Sequence, residues 1–338
     1  MIIDDGQDMN FESIDDYDSM SEYELGISNI KFDSTMWMFY PETTPRRNSA
    51  FEWFKAKAYE HHILLHIFFF QESYEDFIEK LSNNEDFYDE EFPEELPDYV
   101  LIRGYNKKLS LFFEERGVKV FNKSKAMFLS RDKYETQLVL EKNHIQLPRL
   151  YRTELTVSYK NISDYFESDV FIAKARCGSK GEEVYLIKSE KDFQNLYLNK
   201  KNEMGMTGLI FPDHFIFQQY IESSEGRDIR VWVIGGKAIA AVERYNDKSF
   251  KSNLAQGGKA RKFDLSTTKG REVASMAEKA SIALNLDFAG VDLLFNDGGF
   301  LLCEVNGNAG FRAAYMTGAG DIPNALMDFV ENFHYLAD

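Results

Sequence analysis

Three oxygen-bearing side chains near the C-terminal end lie inside apolar surroundings. Asp292 interrupts the run Ala289-Gly290-Val291-Asp292-Leu293-Leu294, and Glu304 and Asn306 sit two residues apart in Leu301-Leu302-Cys303-Glu304-Val305-Asn306. In an extended chain residues two apart share a face, so Glu304 and Asn306 point the same way. The short turn Asn296-Asp297-Gly298-Gly299 makes the two runs a β-hairpin, which can bring Asp292 across from Glu304. Hard oxygen donors of this kind suit magnesium, which takes few protein carboxylates and fills its shell with phosphate oxygens and water. Charges on a solvated strand face are the plainer alternative. Against it, apolar residues flank the three donors and Gly307-Asn308-Ala309-Gly310 follows at once.

Three other segments carry chemistry-bearing residues. Lys174 ends an apolar run and is followed by Cys177-Gly178-Ser179-Lys180-Gly181. Such glycines allow a tight loop whose backbone amides approach phosphate oxygens, although the segment matches neither a Walker loop nor a GxGxxG fingerprint. Alone it is an ordinary connection between strands. Gly226-Arg227-Asp228-Ile229-Arg230 follows Gln218-Gln219-Tyr220-Ile221. Here Asp228 can bond ribose hydroxyls and Arg230 can meet a phosphate or carboxylate, or both can be surface charges at a turn. The segment from Phe250 to Gly258 offers Lys251, Ser252 and Asn253 beside a glycine pair, a composition that clamps phosphates or simply makes a loop.

In their order and spacing these segments resemble the ATP-grasp superfamily, and within it the RimK-like carboxylate–amine ligases. The resemblance runs from about Val118 to Val330 through VFNKSKAMFLSRDKYET, FIAKARCGSKGEEV, FIFQQYIESSEGRDIRVWVIGGKAIAAVER, FKSNLAQGGKA, FAGVDLLF and CEVNGNAG. It implies an α/β (α+β) chain with the ATP-grasp fold and a small N-terminal α/β pre-ATP-grasp lobe. It implies that Lys133 and Lys174 are the two nucleotide lysines, with Gly178, Ser179 and Gly181 as the loop over the phosphates. Gln219, Tyr220 and Ile221 match the hinge at the adenine edge, Asp228 the ribose contact and Ser252 a phosphate-side hydroxyl. Arg230, Lys251 and Asn253 match the catalytic groups on the phosphate and substrate side. Asp292, Glu304 and Asn306 match the metal ligands. The implied cofactors are ATP and magnesium, two ions, with manganese as a substitute. The sequence departs from the family pattern at Gln219, usually glutamate, at Glu183, where the loop often ends in glycine, and at Lys251, usually arginine. The last change keeps the charge and loses the bidentate fork.

Composition narrows the partners. With 39 basic against 56 acidic residues the net charge is -17, and no basic cluster appears, so nucleic acid is not an expected partner. The longest apolar run, Ile63 to Phe70, is far too short to span a bilayer. Two distant cysteines, Cys177 and Cys303, make no disulfide framework or zinc site. The acidic N-terminal segment does not read as a signal peptide, and a reducing cytoplasm is expected. The expected partners are therefore a carboxylate and an amine substrate, an amino acid, peptide or protein tail, with a homo-oligomer allowed. An added amino acid such as glutamate is the leading case. A peptide-modifying macrocyclase and a non-catalytic ATP-binding module are the alternatives. Arg312 is a candidate for a substrate carboxylate, or a helix charge.

The elements that must position these residues can be laid out from hydrophobic period and punctuation. Residues 1–33 are acidic with little apolar periodicity and are expected to form a mobile tail. Residues 34–122 alternate strands (Met36–Tyr40, Ile63–Phe70, Tyr99–Ile102, Val118–Phe121) with helices (Ala50–Tyr59, Tyr74–Leu81, Leu109–Glu115), which predicts a parallel sheet. Residues 123–221 form a helical connector over Asp132–Lys142 and a unit with strands Val170–Ala175, Glu183–Ile187 and Phe215–Ile221. Residues 222–338 hold the hairpins Ile229–Ile234/Ala238–Arg244 and Phe288–Phe295/Phe300–Val305, a helix from Lys269 to Leu284 and a closing helix from Ile322.

Overall fold

The computed structural model describes residues 31–41, 44, 49–70, 95–152, 157–178, 183–203, 214–252 and 257–337. The expected tail up to residue 30, the helix Tyr74–Leu81 and most of the acidic loop before Pro97 lie outside the described residues. So do three residues of the candidate site, Ser179, Gly181 and Asn253. The chain divides into two compact units, residues 1–124 with 323–338, and residues 125–322.

The first unit contains β1 (Ser34–Pro41), β2 (Ile63–Phe70), β3 (Tyr99–Ile102) and β4 (Lys119–Phe121), ordered β2-β1-β3-β4 and parallel throughout, as the alternation of strands and helices predicts. A parallel sheet is covered on both faces, so its strands are apolar without alternation. In β1, Met36, Trp37, Met38 and Phe39 are all sealed from solvent. Helices α1 (Ser49–Glu60) and α2 (Lys107–Glu114) belong to this unit, and Asn106 caps α2 by accepting from the Leu109 amide. The C-terminal helix, α9 (Ile322–Ala337), brings Phe329 and Phe333 against Phe121.

The second unit begins with α3 (Ser124–Arg131) and α4 (Lys133–Lys142), separated at Asp132, whose carboxylate caps α4. Its first sheet is antiparallel: β5 (Leu150–Tyr151), β8 (Phe215–Gln219), β6 (Phe171–Ala175) and β7 (Val184–Ile187). Helices α5 (Tyr159–Phe166) and α6 (Glu190–Glu203) supply Ile162, Phe166, Phe193 and Leu196 to its core. The second sheet is also antiparallel, in the order β11 (Lys259–Lys262), β10 (Lys237–Tyr245), β9 (Arg227–Ile234), β12 (Phe288–Asn296) and β13 (Gly299–Asn306).

The two faces of this second sheet differ in kind. Ile229, Val231 and Val233 of β9 and Val291 and Leu293 of β12 join one core with Val273, Ala277 and Ala280 of α7 (Thr268–Ala283), and all are sealed from solvent. The helical spacing of those three residues makes the stripe, and the two alanines let the helix lie close. Burying each large aliphatic side chain here contributes about 1.5–3 kcal/mol. Period two sends the intervening residues, Asp228, Arg230 and Trp232, to the other face. The segment after β13 folds back over that face: the Trp232 indole donates to the Gly310 carbonyl at 2.9 Å. A short helix, α8 (Arg312–Met316), follows, with Arg312 half-buried at its start.

Gly290 is where this return is tightest, since a Cβ there would sit 2.4 Å from Ala309 Cβ. Gly290→Ala is therefore expected to lower the unfolding free energy by about 1–3 kcal/mol, as overpacked sites do. Urea denaturation measures it.

Candidate active site

The charged face of the second sheet is a single hydrogen-bonded chain. Arg230 forks onto Asp292, Nε to Oδ1 and Nη2 to Oδ2, both at 2.7 Å. Arg244 forks onto Asp228 at 2.7 and 2.6 Å, and its Nη2 also lies 2.9 Å from Asp292 Oδ2. Ser252 closes the end, its hydroxyl donating to Asp228 Oδ2 at 2.6 Å. The strands set this up by register: Arg244 pairs with Asp228 across β10 and β9, and Arg230 with Asp292 across β9 and β12. Asp228, Arg244, Ser252 and Asp292 are all buried.

Burial raises a carboxylate's pKa, but at Asp292 the Arg230 and Arg244 guanidinia outweigh it and bring the value down to about 2. The folded value lies below the ordinary 3.8. The stabilisation is therefore complete above the ordinary value and is lost as pH falls through about 2. Burial likewise opposes the charge on Arg244, and Asp228 and Asp292 overcome it, so its pKa rises further above the ordinary range.

Asp292 pairs with Glu304 of β13, and a bulge makes that pairing. From the turn, the register runs Asn296–Gly299 to Leu293–Leu302, and then skips one residue so that Asp292 meets Glu304. Cys303 is the extra residue, and at a bulge two consecutive residues can present to one side. Accordingly, Lys174 of β6 places its Nζ 3.2 Å from Cys303 Sγ. Burial disfavours the Lys174 charge, but Cys303, Glu304 and Asp292 more than restore it, so its pKa is raised. Burial also pushes the Cys303 thiol up, and Lys174 offsets only part of that.

Asp292, Glu304 and Asn306 present oxygen donors of the type that magnesium takes. Glu304 is one-third exposed and has Lys133 Nζ at 3.9 Å. Asn306 Oδ1 accepts from the Asn308 amide at 2.8 Å and, as an amide oxygen, keeps a second lone pair. On the same turn Asn308 Oδ1 is sealed from solvent with no hydrogen-bond partner, an acceptor without a donor. Asp292 has both oxygens engaged by arginines.

The residues expected on the nucleotide side are spread over both sheets and their connections. Lys133 donates to the Gly178 carbonyl at 2.9 Å, fixing the root of the glycine loop. Arg176 locks the same root, its Nε lying 2.9 and 2.8 Å from the two Asp132 oxygens. Gln219 Oε1 accepts from the Arg149 amide at 3.3 Å. Tyr220 follows it, with its phenol pushed up to about 12 by burial and by Glu225. Ile221 is buried beneath the turn into β9. Lys251 sits over the Phe250 ring, 5.8 Å to its centroid, and burial lowers its pKa. Asp228 has both oxygens engaged by Arg244 and Ser252, so in this structure it acts as a strut. An open cavity of about 440 Å³ lies beyond, between Arg227, Tyr245 and residues 246–250, and none of the candidate site residues lines it.

Arg244 and Cys303 lie on this face, and sequence reasoning gave neither of them a part in the site. Arg244 looks like the charged end of an apolar strand, and only its register with Asp228 shows that it is interior.

The fold is that of ATP-grasp ligases. The chain aligns with the ATP-grasp ligase PsnB, solved with precursor peptide PsnA2 and AMPPNP, at a TM-score of 0.60 and 14% identity, covering 91% of this chain and 98% of that one. Residues 130–330 match the RimK-like ATP-grasp domain, and the chain belongs to that family. A protein of an Enterobacter species named "Probable alpha-L-glutamate ligase" is 33% identical over 223 residues, covering 65% of this chain and 69% of that protein. Another of the same name from Shewanella halifaxensis is 28% identical over 228 residues, covering 67% of this chain. The chain spans only 47% of that Shewanella protein's length.

The buried chain of charges yields a direct expectation. Arg244→Ala leaves Asp228 and Asp292 short of a partner inside the protein, which costs about 3–5 kcal/mol for a broken buried pair. Urea unfolding at neutral pH, with circular dichroism as the signal, measures the loss.

Proposed function

We propose that this protein is an ATP-dependent ligase that joins a carboxylate to an amine through an acyl phosphate, adding an amino acid such as glutamate to a peptide, protein or small-molecule acceptor. The observation that carries this is the bulged hairpin that sets Glu304 opposite Asp292 beside the Arg230 and Arg244 guanidinia. Asp292, Glu304 and Asn306 would hold magnesium, two ions in this proposal. Bound there, the metal supplies positive charge that screens the ATP phosphates and polarises the γ-phosphoryl group.

The chain's own residues do the rest. Lys133 and Lys174 bind the phosphates, the latter already charged and desolvated. Gly178, with Ser179 and Gly181 beyond the described residues, covers them. Gln219, Tyr220 and Ile221 hold the adenine edge, and Ser252, oriented by Asp228, faces the phosphate side. The substrate carboxylate attacks the γ-phosphorus in line, ADP leaves, and Arg230, Lys251 and Asn253 spread the charge that develops. The amine then attacks the acyl carbon, loses a proton and expels phosphate. No protein nucleophile is required, because holding the reactants in line lowers the barrier. The glycine loop and the segment around Lys251 exclude water from the acyl phosphate.

Among the described residues no helix is long and apolar enough to cross a membrane. The free cysteines Cys177 and Cys303 and the need for ATP are in keeping with a cytoplasmic setting. The likeness to PsnB keeps a peptide among the proposed substrates, as ligation target or as the site of ring closure. Mass spectrometry separates the two, since addition gains a residue and ring closure loses one water.

Turnover should release ADP and phosphate in step with each bond formed. A panel of amino acids and short acidic or basic peptides, read by nucleotide chromatography, checks it. Release of AMP and pyrophosphate would overturn the acyl-phosphate route. Tight ATP binding with no turnover across the panel would favour a non-catalytic ATP-binding module instead.

A further inference from the structure

Cys303 has no cross-strand partner, because the bulge in β13 places both it and Glu304 opposite Asp292. Its sulfur instead receives a hydrogen bond from Lys174 Nζ, at 3.2 Å. Lys174 is 7% exposed, and its only described hydrogen-bond acceptor is that sulfur. The carboxylates of Glu304 and Asp292 attract the ammonium without fixing its direction. A lysine ends a flexible four-carbon stem and has three donors and no acceptor, so a single short contact decides where the head points. Sulfur is a weak acceptor, able to hold one donor without competing strongly for the other two.

We infer that Cys303 is a positioning residue for ATP binding: its sulfur aims the Lys174 ammonium at the nucleotide phosphates. The inference rests on the proposed role of Lys174 as a nucleotide lysine. The bulge has a purpose in this arrangement. Unbroken register would put Cys303 directly across from Asp292 and turn Glu304 to the opposite face, so the bulge is what keeps the sulfur and the Glu304 carboxylate on one side.

The test uses the full chain and calorimetric binding of magnesium–AMPPNP. Its variants are Cys303→Ser, Cys303→Ala, Cys303→Val and Lys174→Met. Serine keeps an acceptor at nearly the same size, valine fills the space without one, and alanine removes both. Loss of one hydrogen bond to a weak sulfur acceptor should weaken binding about 3- to 10-fold in the alanine and valine variants, with serine within about twofold of the parent. In the Lys174→Met background, Cys303→Ala should add nothing further, which is the coupling a purely structural role would lack. Circular dichroism of the ligand-free variants confirms that each is folded, and the serine and valine variants keep the test decisive if alanine is not. If Lys174→Met binds weakly while alanine and valine bind like the parent, the positioning role falls and the nucleotide role of Lys174 stands. Serine as weak as alanine also overturns it, because acceptor chemistry would not be the cause. Parental binding by Lys174→Met would remove the role of Lys174 itself.

Discussion

Arg244, held between Asp228 and Asp292, is the contact on which the active face depends. Taking three charges out of water is costly, and the cost is met only when every donor and acceptor finds a partner. Here the guanidinium forks onto one carboxylate and reaches the other, Arg230 completes Asp292, and Ser252 completes Asp228. The consequence is geometric as much as energetic. Strands β10, β9 and β12 are tied side by side on this face at one register, which fixes where Asp228 and Arg230 of β9 and Asp292 of β12 project. The same strands lean on α7 across the apolar face, so the charged chain is backed by close packing rather than by solvent.

Two bulges make this possible. From the turn, β9 and β10 begin in a register that would set Glu243 against Asp228, two carboxylates face to face. A shift between Ala238 and Ala240 replaces Glu243 with Arg244. Glu243 turns instead to Arg261, at 2.7 Å. In β12 and β13 the corresponding shift replaces Cys303 with Glu304 opposite Asp292. Each bulge thus exchanges a poor partner for an apt one, and the second also leaves a thiol facing Lys174.

Much of the fold was legible in residue pattern. The apolar runs Met36–Tyr40, Ile63–Phe70 and Tyr99–Ile102 read as a buried parallel sheet, and the strands are parallel. The turn Asn296–Gly299 announces the last hairpin, and Asp292 does lie across from Glu304. Other features escaped for stateable reasons. Helix α5 has apolar residues only at Tyr159, Ile162, Tyr165 and Phe166, too few to distinguish it from a polar connection without its Ser158 cap. Strand β11, Lys-Ala-Arg-Lys, has no apolar alternation and exists because its backbone pairs with β10. A bulge leaves no mark on a period-two count, so Arg244 was invisible as an interior group and Cys303 as a neighbour of Lys174.

The pairing of Asp292 also bears on how the site works. Asp292 spends its charge on Arg230 and Arg244, and the fork onto Asp292 holds Arg230 on the face from which it is proposed to meet the phosphoryl group. All of this presumes that a carboxylate oxygen of the substrate ends up on the released phosphate, which is the chemical signature of an acyl phosphate. Incubation with ATP, magnesium and L-glutamate carrying ¹⁸O in both carboxylates, as acid and amine alike, should give inorganic phosphate bearing one labelled oxygen for each bond made. Ligated product accompanied by unlabelled phosphate, or by label in AMP, would contradict the mechanism.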